Sequence, residues 1–116
     1  MVPQKDILAC VKYWQKLFGL SRYKITVRFE TEQQDSIAEC GVQSEYELAS
    51  INFNLKNINS PAEAEATVIH ELLHIVLAPL ATNAKVFAGE CSDVVHYLEE
   101  QVVTSIEKWP LWQKIG

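Results

Sequence analysis

The chain has 116 residues and a mass of 13.2 kDa, room for one domain (1–116) with its own core and little else. Hydrophobic residues at 48% and charged residues at 22% exclude a disordered or fibrous chain. Fifteen acidic against ten basic side chains leave a net charge of −5, which argues against nucleic acid or an anionic membrane surface as the main partner.

The first predicted element is a helix from about Gln4 to Phe18. Ile7, Leu8, Val11, Trp14, Leu17 and Phe18 recur at helical spacing, and Gly19 is placed to end it. Lys24 to Glu30 alternates Ile25, Val27 and Phe29 with polar neighbours, as a half-buried strand does. A weaker strand is expected over 37–46, with Gly41 a candidate bulge, and a third over 49–55 through Ile51, Phe53 and Leu55. Short connections between the three favour antiparallel pairing.

Ser60-Pro61-Ala62-Glu63 reads as a helix start, with Ser60 as cap and Glu63 able to close a capping box. That helix should run to about Ala78, because Pro79 disfavours helical geometry in the residue before it. A loop is expected over roughly 80–90. A last helix follows from Ser92-Asp93 to Lys108, with Pro110 as its stop. Helix, three-stranded mostly antiparallel sheet, helix, helix makes an α+β domain. Trp14, Phe18, Phe29, Phe53, Trp109 and Trp112 are expected to pack in the interior.

No apolar run reaches the length of a membrane span; the longest, near 72–80, is interrupted by His74 and Pro79. Met1 to Asp6 lacks the pattern of a signal peptide. Cys10, Cys40 and Cys91 are scattered, with no CxxC pair, and read as buried thiols of a reducing compartment, the cytoplasm by default.

The chemistry lies in His70-Glu71-Leu72-Leu73-His74. Four residues are about one helical turn, so both imidazoles leave the same face and can share one cation. Glu71 stands close enough to take a proton from a water activated there without being a ligand itself. On the helical wheel Val68, Ile69, Leu72, Leu73, Val76, Leu77 and Leu80 form a broad apolar arc, and the histidines lie opposite its centre.

A tetrahedral Zn²⁺ needs a third protein ligand, and the last helix offers His96, Glu99 and Glu100. If that helix packs by Val94, Val95, Leu98, Val102, Ile106 and Trp109, Glu100 is the best aimed, with Glu99 the alternative at the stripe's edge.

HELLH in an apolar helix, followed by a helix bearing Glu100-Gln101-Val102-Val103, resembles the zincin metallopeptidases of the gluzincin branch. In size the chain is similar to minigluzincins and to short HExxH proteins of phage and prophage genomes. The resemblance is specific over Ala66–Leu80, moderate over Leu98–Ile106 and only architectural before them. It implies His70, His74 and Glu100 as zinc ligands, Glu71 as general base, and an extended polypeptide substrate paired to an edge strand, either 37–46 or 49–55. Where the family often has an acidic residue that supports a histidine, this chain has Thr104, so the support must differ. The metzincin extension is absent after His74. Tyr97, His96 and Tyr46 are candidates to steady an oxyanion.

The expected function is therefore zinc-dependent endopeptidase activity. Two other readings stand beside it. One is a zinc-bearing regulatory or protein-binding module of a mobile element with little turnover. The other is a metal-free adaptor in which HELLH is coincidental.

Overall fold

In the computed structural model, residues 1–32, 35–88 and 92–107 are described, with side chains over 1–32, 35–80 and 96–107. The expected thiol at Cys91, the packing of Trp109 and Trp112 and the stop at Pro110 fall outside them.

Helix α1 spans Gln4–Leu17 and buries Ile7, Val11 and Trp14. Gly19 at φ 70 ends it. Its N–H reaches the Lys16 carbonyl at 3.1 Å and that of Leu20 reaches Gln15 at 2.9 Å, the paired bonds of a Schellman cap. Gln15 Nε2 donates to the carbonyls of Leu20 and Tyr23, both at 3.0 Å, and so ties the turn to the next strand.

Strands β1 (Lys24–Glu30), β2 (Ala38–Gln43) and β3 (Leu48–Asn54) form one sheet in the order β1-β3-β2. β2 and β3 pair antiparallel, as expected, but β1 pairs with β3 in parallel, so the sheet is mixed. The dozen or more residues that a parallel crossover needs are supplied by 31–47, which include β2 itself. Burial follows the order. Ile51 and Phe53 of β3 are wholly buried, whereas Ile25, Val27, Phe29, Ala38, Cys40 and Val42 are partly so. The central strand is thus the most deeply buried of the three.

Two further expectations are corrected here. Gly41 sits in unbroken register opposite Ser50, not in a bulge. A Cβ at Gly41 would lie 3.3 Å from Ser50 Oγ, which accounts for the glycine by close approach. The second strand also stops at Gln43, and Ser44–Tyr46 form a turn of 3₁₀ helix.

The end of β3 anchors the approach to β2. Asn54 Nδ2 donates to the Ser36 carbonyl at 2.6 Å, Asn57 Nδ2 to the same carbonyl at 2.7 Å, and the Asn54 N–H to Ile37 at 2.9 Å.

Helix α2 spans Pro61–Ala88 and begins as expected, with Ser60 Oγ accepting the Glu63 N–H at 3.1 Å. Among the described residues the Glu63 carboxylate does not return to complete the box. The helix does not stop at Ala78; it runs through Pro79, and the expected loop over 80–90 is helical as far as Ala88. A proline inside a helix removes one backbone bond and crowds the preceding turn, but the residues after it, among them Leu80, Ala81, Ala84 and Lys85, are strong helix formers.

Helix α3 spans Ser92–Glu107 and packs on α2. The core, which includes Trp14, Ile51, Phe53, Val68, Leu72 and Ile75, joins the sheet to α1 and α2, with Val103 contributed by α3. Trp14 and Phe53 are buried as expected, and Phe18 and Phe29 pack against them. Val76 and Leu80, assigned to the apolar arc of α2, are exposed at 41% and 71%, while Ile75 is wholly buried in their stead. Among the described residues no helix is long and apolar enough to cross a membrane.

Candidate metal centre

Positions on two helices bring the polar side chains together. His70 and His74 stand one turn apart on α2, with ring centroids 5.1 Å apart. Glu100 reaches across from α3. Its carboxylate oxygens lie 3.5 Å from His70 Nε2 and 2.9 Å from His74 Nε2. The ligand atoms of His70, His74 and Glu100 all fall within 4.8 Å of one another, a group that can hold a metal ion.

The other ring nitrogens are also engaged. His74 Nδ1 donates to Glu99 Oε2 at 2.6 Å and His70 Nδ1 to Glu107 Oε2 at 3.0 Å. With the proton on Nδ1, each Nε2 presents a lone pair toward Glu100. A lone pair and a carboxylate oxygen 2.9 Å apart repel unless a proton or a cation lies beside both. The charge balance points the same way. Glu71, Glu99, Glu100 and Glu107 gather around two imidazoles, and among the described residues no lysine or arginine lines the adjoining cavities. The chemistry of the donor set thus fits a cation.

Glu99, the alternative third ligand, faces the far nitrogen of His74 and lies outside the group that converges on one point. Both assignments assume that α3 packs by its apolar stripe, of which the side chains of Val94, Val95 and Trp109 lie outside the described residues; Ile106 packs on the core, and the rest is corrected. Leu98 and Val102 are exposed at 54% and 44%, while Val103 is wholly buried. α3 instead turns its carboxylates inward: Glu99, Glu100 and Glu107 meet the histidine face of α2, with Val103 and Ile106 among them as apolar contacts. Glu107 was the residue that sequence reasoning missed. It follows Glu100 by two helical turns, and that spacing was the available signal.

Glu71 follows His70 on α2 and is not among the converging ligand groups. It is only 6% exposed, yet it lines a cavity of about 430 Å³ together with His70, His74 and Glu100. Burial pushes its carboxyl above the ordinary carboxylate range; the two imidazoles pull it down, and Glu100 and Glu107 push it up again.

The roof of the cavity is β2. Its inward residues Ala38, Cys40 and Val42 are small or medium in size and leave space above the histidines. In the order β1-β3-β2, β2 is an edge and β3 is paired on both sides. The expectation that 49–55 might be the free edge beside the site is therefore set aside, and 38–43 occupies that place. Cys40 is a free thiol pushed up to about 12 by burial and then by Glu71 and Glu99. Cys10, on α1, is pushed up to about 11 by burial and by Glu65. Both are half-buried rather than fully buried.

Of the three residues considered for an oxyanion, His96 lines the cavity, although it is exposed. Tyr46 and Tyr97 are exposed at 70% and 62% and do not line it. Thr104 is half-buried, and it is Glu99 and Glu107 that hold the histidines. Compared with known proteins, the chain matches no family model, no curated protein and no solved structure.

Proposed function

We propose that the protein is a zinc-dependent endopeptidase of the gluzincin type, with His70, His74 and Glu100 as metal ligands and Glu71 as general base. The observation that carries this reading is the convergence of three ligand side chains at a cavity whose wall includes a buried, unligated carboxylate. Zinc bonds of about 2.0–2.1 Å in a tetrahedron set ligand atoms about 3.3 Å apart. The separations of 2.9 and 3.5 Å, each to a different oxygen of Glu100, lie near that value. Two imidazoles and one carboxylate with a free corner suit zinc better than calcium or magnesium, which prefer oxygen.

Zinc bound there would polarise the scissile carbonyl and acidify a water. Glu71 accepts a proton from the attacking water and passes it to the departing amine; a C–O bond forms, the C–N bond breaks, and the products are a carboxylic acid and an amine. Glu99 and Glu107 keep the two imidazoles turned toward the ligand point. His96 is the cavity residue available to donate to the developing oxyanion. The edge of β2 offers backbone groups with which an extended polypeptide can pair. The free thiols of Cys10 and Cys40 favour a cytoplasmic setting.

The test is Glu71→Gln, measured for zinc content and for cleavage of an unfolded protein substrate. Retained zinc with cleavage reduced at least about a hundredfold supports the endopeptidase. Unchanged biological function in that variant indicates a zinc-bearing binding module. A purified protein that takes up no divalent metal sinks both.

A further inference from the structure

The cleft does not end at the metal ligands. A second cavity of about 410 Å³ lies on the His70 side, and its lining includes His70, Glu71 and Ala38, which also line the first. The two spaces therefore adjoin beneath β2. Ile37, Ala38 and Ala66 give the second one apolar walls, and Glu63 and Glu107 give it carboxylates. The Ile37 wall is held in place by the Ser36, Asn54 and Asn57 hydrogen bonds at the end of β3.

Charge separates this pocket from an ordinary apolar one. Glu39, Glu63, Glu71, Glu99, Glu100 and Glu107 line the two cavities, and a divalent cation offsets only two of those charges. Among the described residues no lysine or arginine lines either space. Glu71 is 6% exposed and faces both, with no hydrogen-bond donor among the described residues. Glu63 is half-buried and its carboxylate has no cationic partner among them. A buried acid without a donor is stabilised by positive charge from outside the chain, and Glu63, in the first turn of α2, adds a carboxylate at the wall.

We propose that this side pocket takes the side chain of a lysine or arginine in an extended polypeptide, so that the site selects basic segments. The aliphatic stem lies along Ile37, Ala38 and Ala66, and the cationic end meets Glu63 at the wall. The net charge of −5 steers such a segment toward the chain. This inference rests on the endopeptidase reading for its substrate, but the pocket's preference for a cation can be read without turnover.

The experiment uses the zinc-loaded full chain and three sets of unstructured peptides, identical except for lysine, glutamine or glutamate at one scanned position. Binding is measured to the Glu71→Gln variant by fluorescence anisotropy, and cleavage is measured with the parent. Lysine peptides should bind and be cut at least about tenfold better than glutamine peptides, with glutamate peptides worst. The lysine advantage in binding should shrink severalfold between low and high salt. Glu63→Gln should bring the lysine-to-glutamine ratio toward one, and Glu63→Lys should invert it. Equal binding of the three sets, or a ratio unmoved by both Glu63 variants, overturns the pocket assignment. Selective binding of lysine peptides with no cleavage by the parent keeps the pocket and removes the endopeptidase. If the Glu63 variants fail to fold, the salt dependence of the parent's lysine preference decides the matter alone.

Discussion

Helix α2 meets the rest of the molecule through two faces of opposite chemistry. Toward the core it offers Val68, Leu72 and Ile75, each wholly buried against apolar partners that include Trp14, Ile51 and Phe53. Toward α3 it offers His70 and His74, which meet Glu99, Glu100 and Glu107. The first contact is held by removal of apolar surface from water, at roughly 25 cal/mol per Å². The second has little such area, with Val103 as its one fully buried side chain among the described residues of α3. It also concentrates negative charge. The first face is complete with groups of the chain itself, whereas the second can hold a cation.

This contrast can be broken most sharply on the core side. Phe53→Ala should cost about 3–5 kcal/mol in urea unfolding, with metal stoichiometry unchanged in the fraction that folds. A similar loss on adding a chelator to the parent would erase the distinction.

The next effect belongs to the polar side. Zinc at about a hundred times its dissociation constant should stabilise the parent by about 2.7 kcal/mol and leave His74→Ala unmoved. Calorimetric melting with and without metal measures this directly. Glu99→Gln and Glu107→Gln should each weaken metal affinity about 10–100-fold, since an amide holds the imidazole less firmly than a carboxylate does. Competition against a chromophoric chelator reads that loss, and a change below twofold would demote the two residues to ordinary surface acids.

Gly19→Ala should cost about 1–2 kcal/mol because its φ of 70 lies in the left-handed region, with no effect on metal affinity.

The smallest effect is chemical. Both thiols titrate above their ordinary value of 9.0, Cys10 at about 11 and Cys40 at about 12, so alkylation at pH 8 should be slower than in urea. The stabilisation linked to each raised value is fully present below 9.0 and is lost as pH climbs through about 11 and about 12. Saturating zinc should speed Cys40 alone, because its positive charge opposes Glu71 and Glu99, while Cys10 neighbours Glu65 on the core side. Equal acceleration of both would place the metal elsewhere.

What could be read in advance follows the same division. β1 was legible to its exact ends because alternation at period two is a local property of Lys24–Glu30. The start of α2 was legible from Ser60-Pro61, since caps and first-turn preferences act within a few residues. The facing of His70 and His74 was fixed by helical geometry alone.

The passage of α2 through Pro79 was not legible. A local penalty of a few kcal/mol competes there with helix formation on both sides and with packing that the sequence does not display. The inward face of α3 was misjudged for a related reason. Apolar periodicity marks Leu98 and Val102, yet both remain exposed, because the partner surface on α2 is polar and selects Glu99, Glu100 and Glu107.

By itself, then, the amino-acid order determined the strand at Lys24–Glu30, where α2 begins, and that two imidazoles and a carboxylate share one stretch of α2. Those are consequences of bond geometry repeated along a chain. Only the folded arrangement decided that β3 enters between its neighbours, that β2 is left as the rim of the cavity, and that Glu100 meets the ring nitrogens while Glu99 and Glu107 take their far sides. Each of these depends on which surfaces lie opposite one another across long stretches of sequence, where burial and charge compensation outweigh local preference.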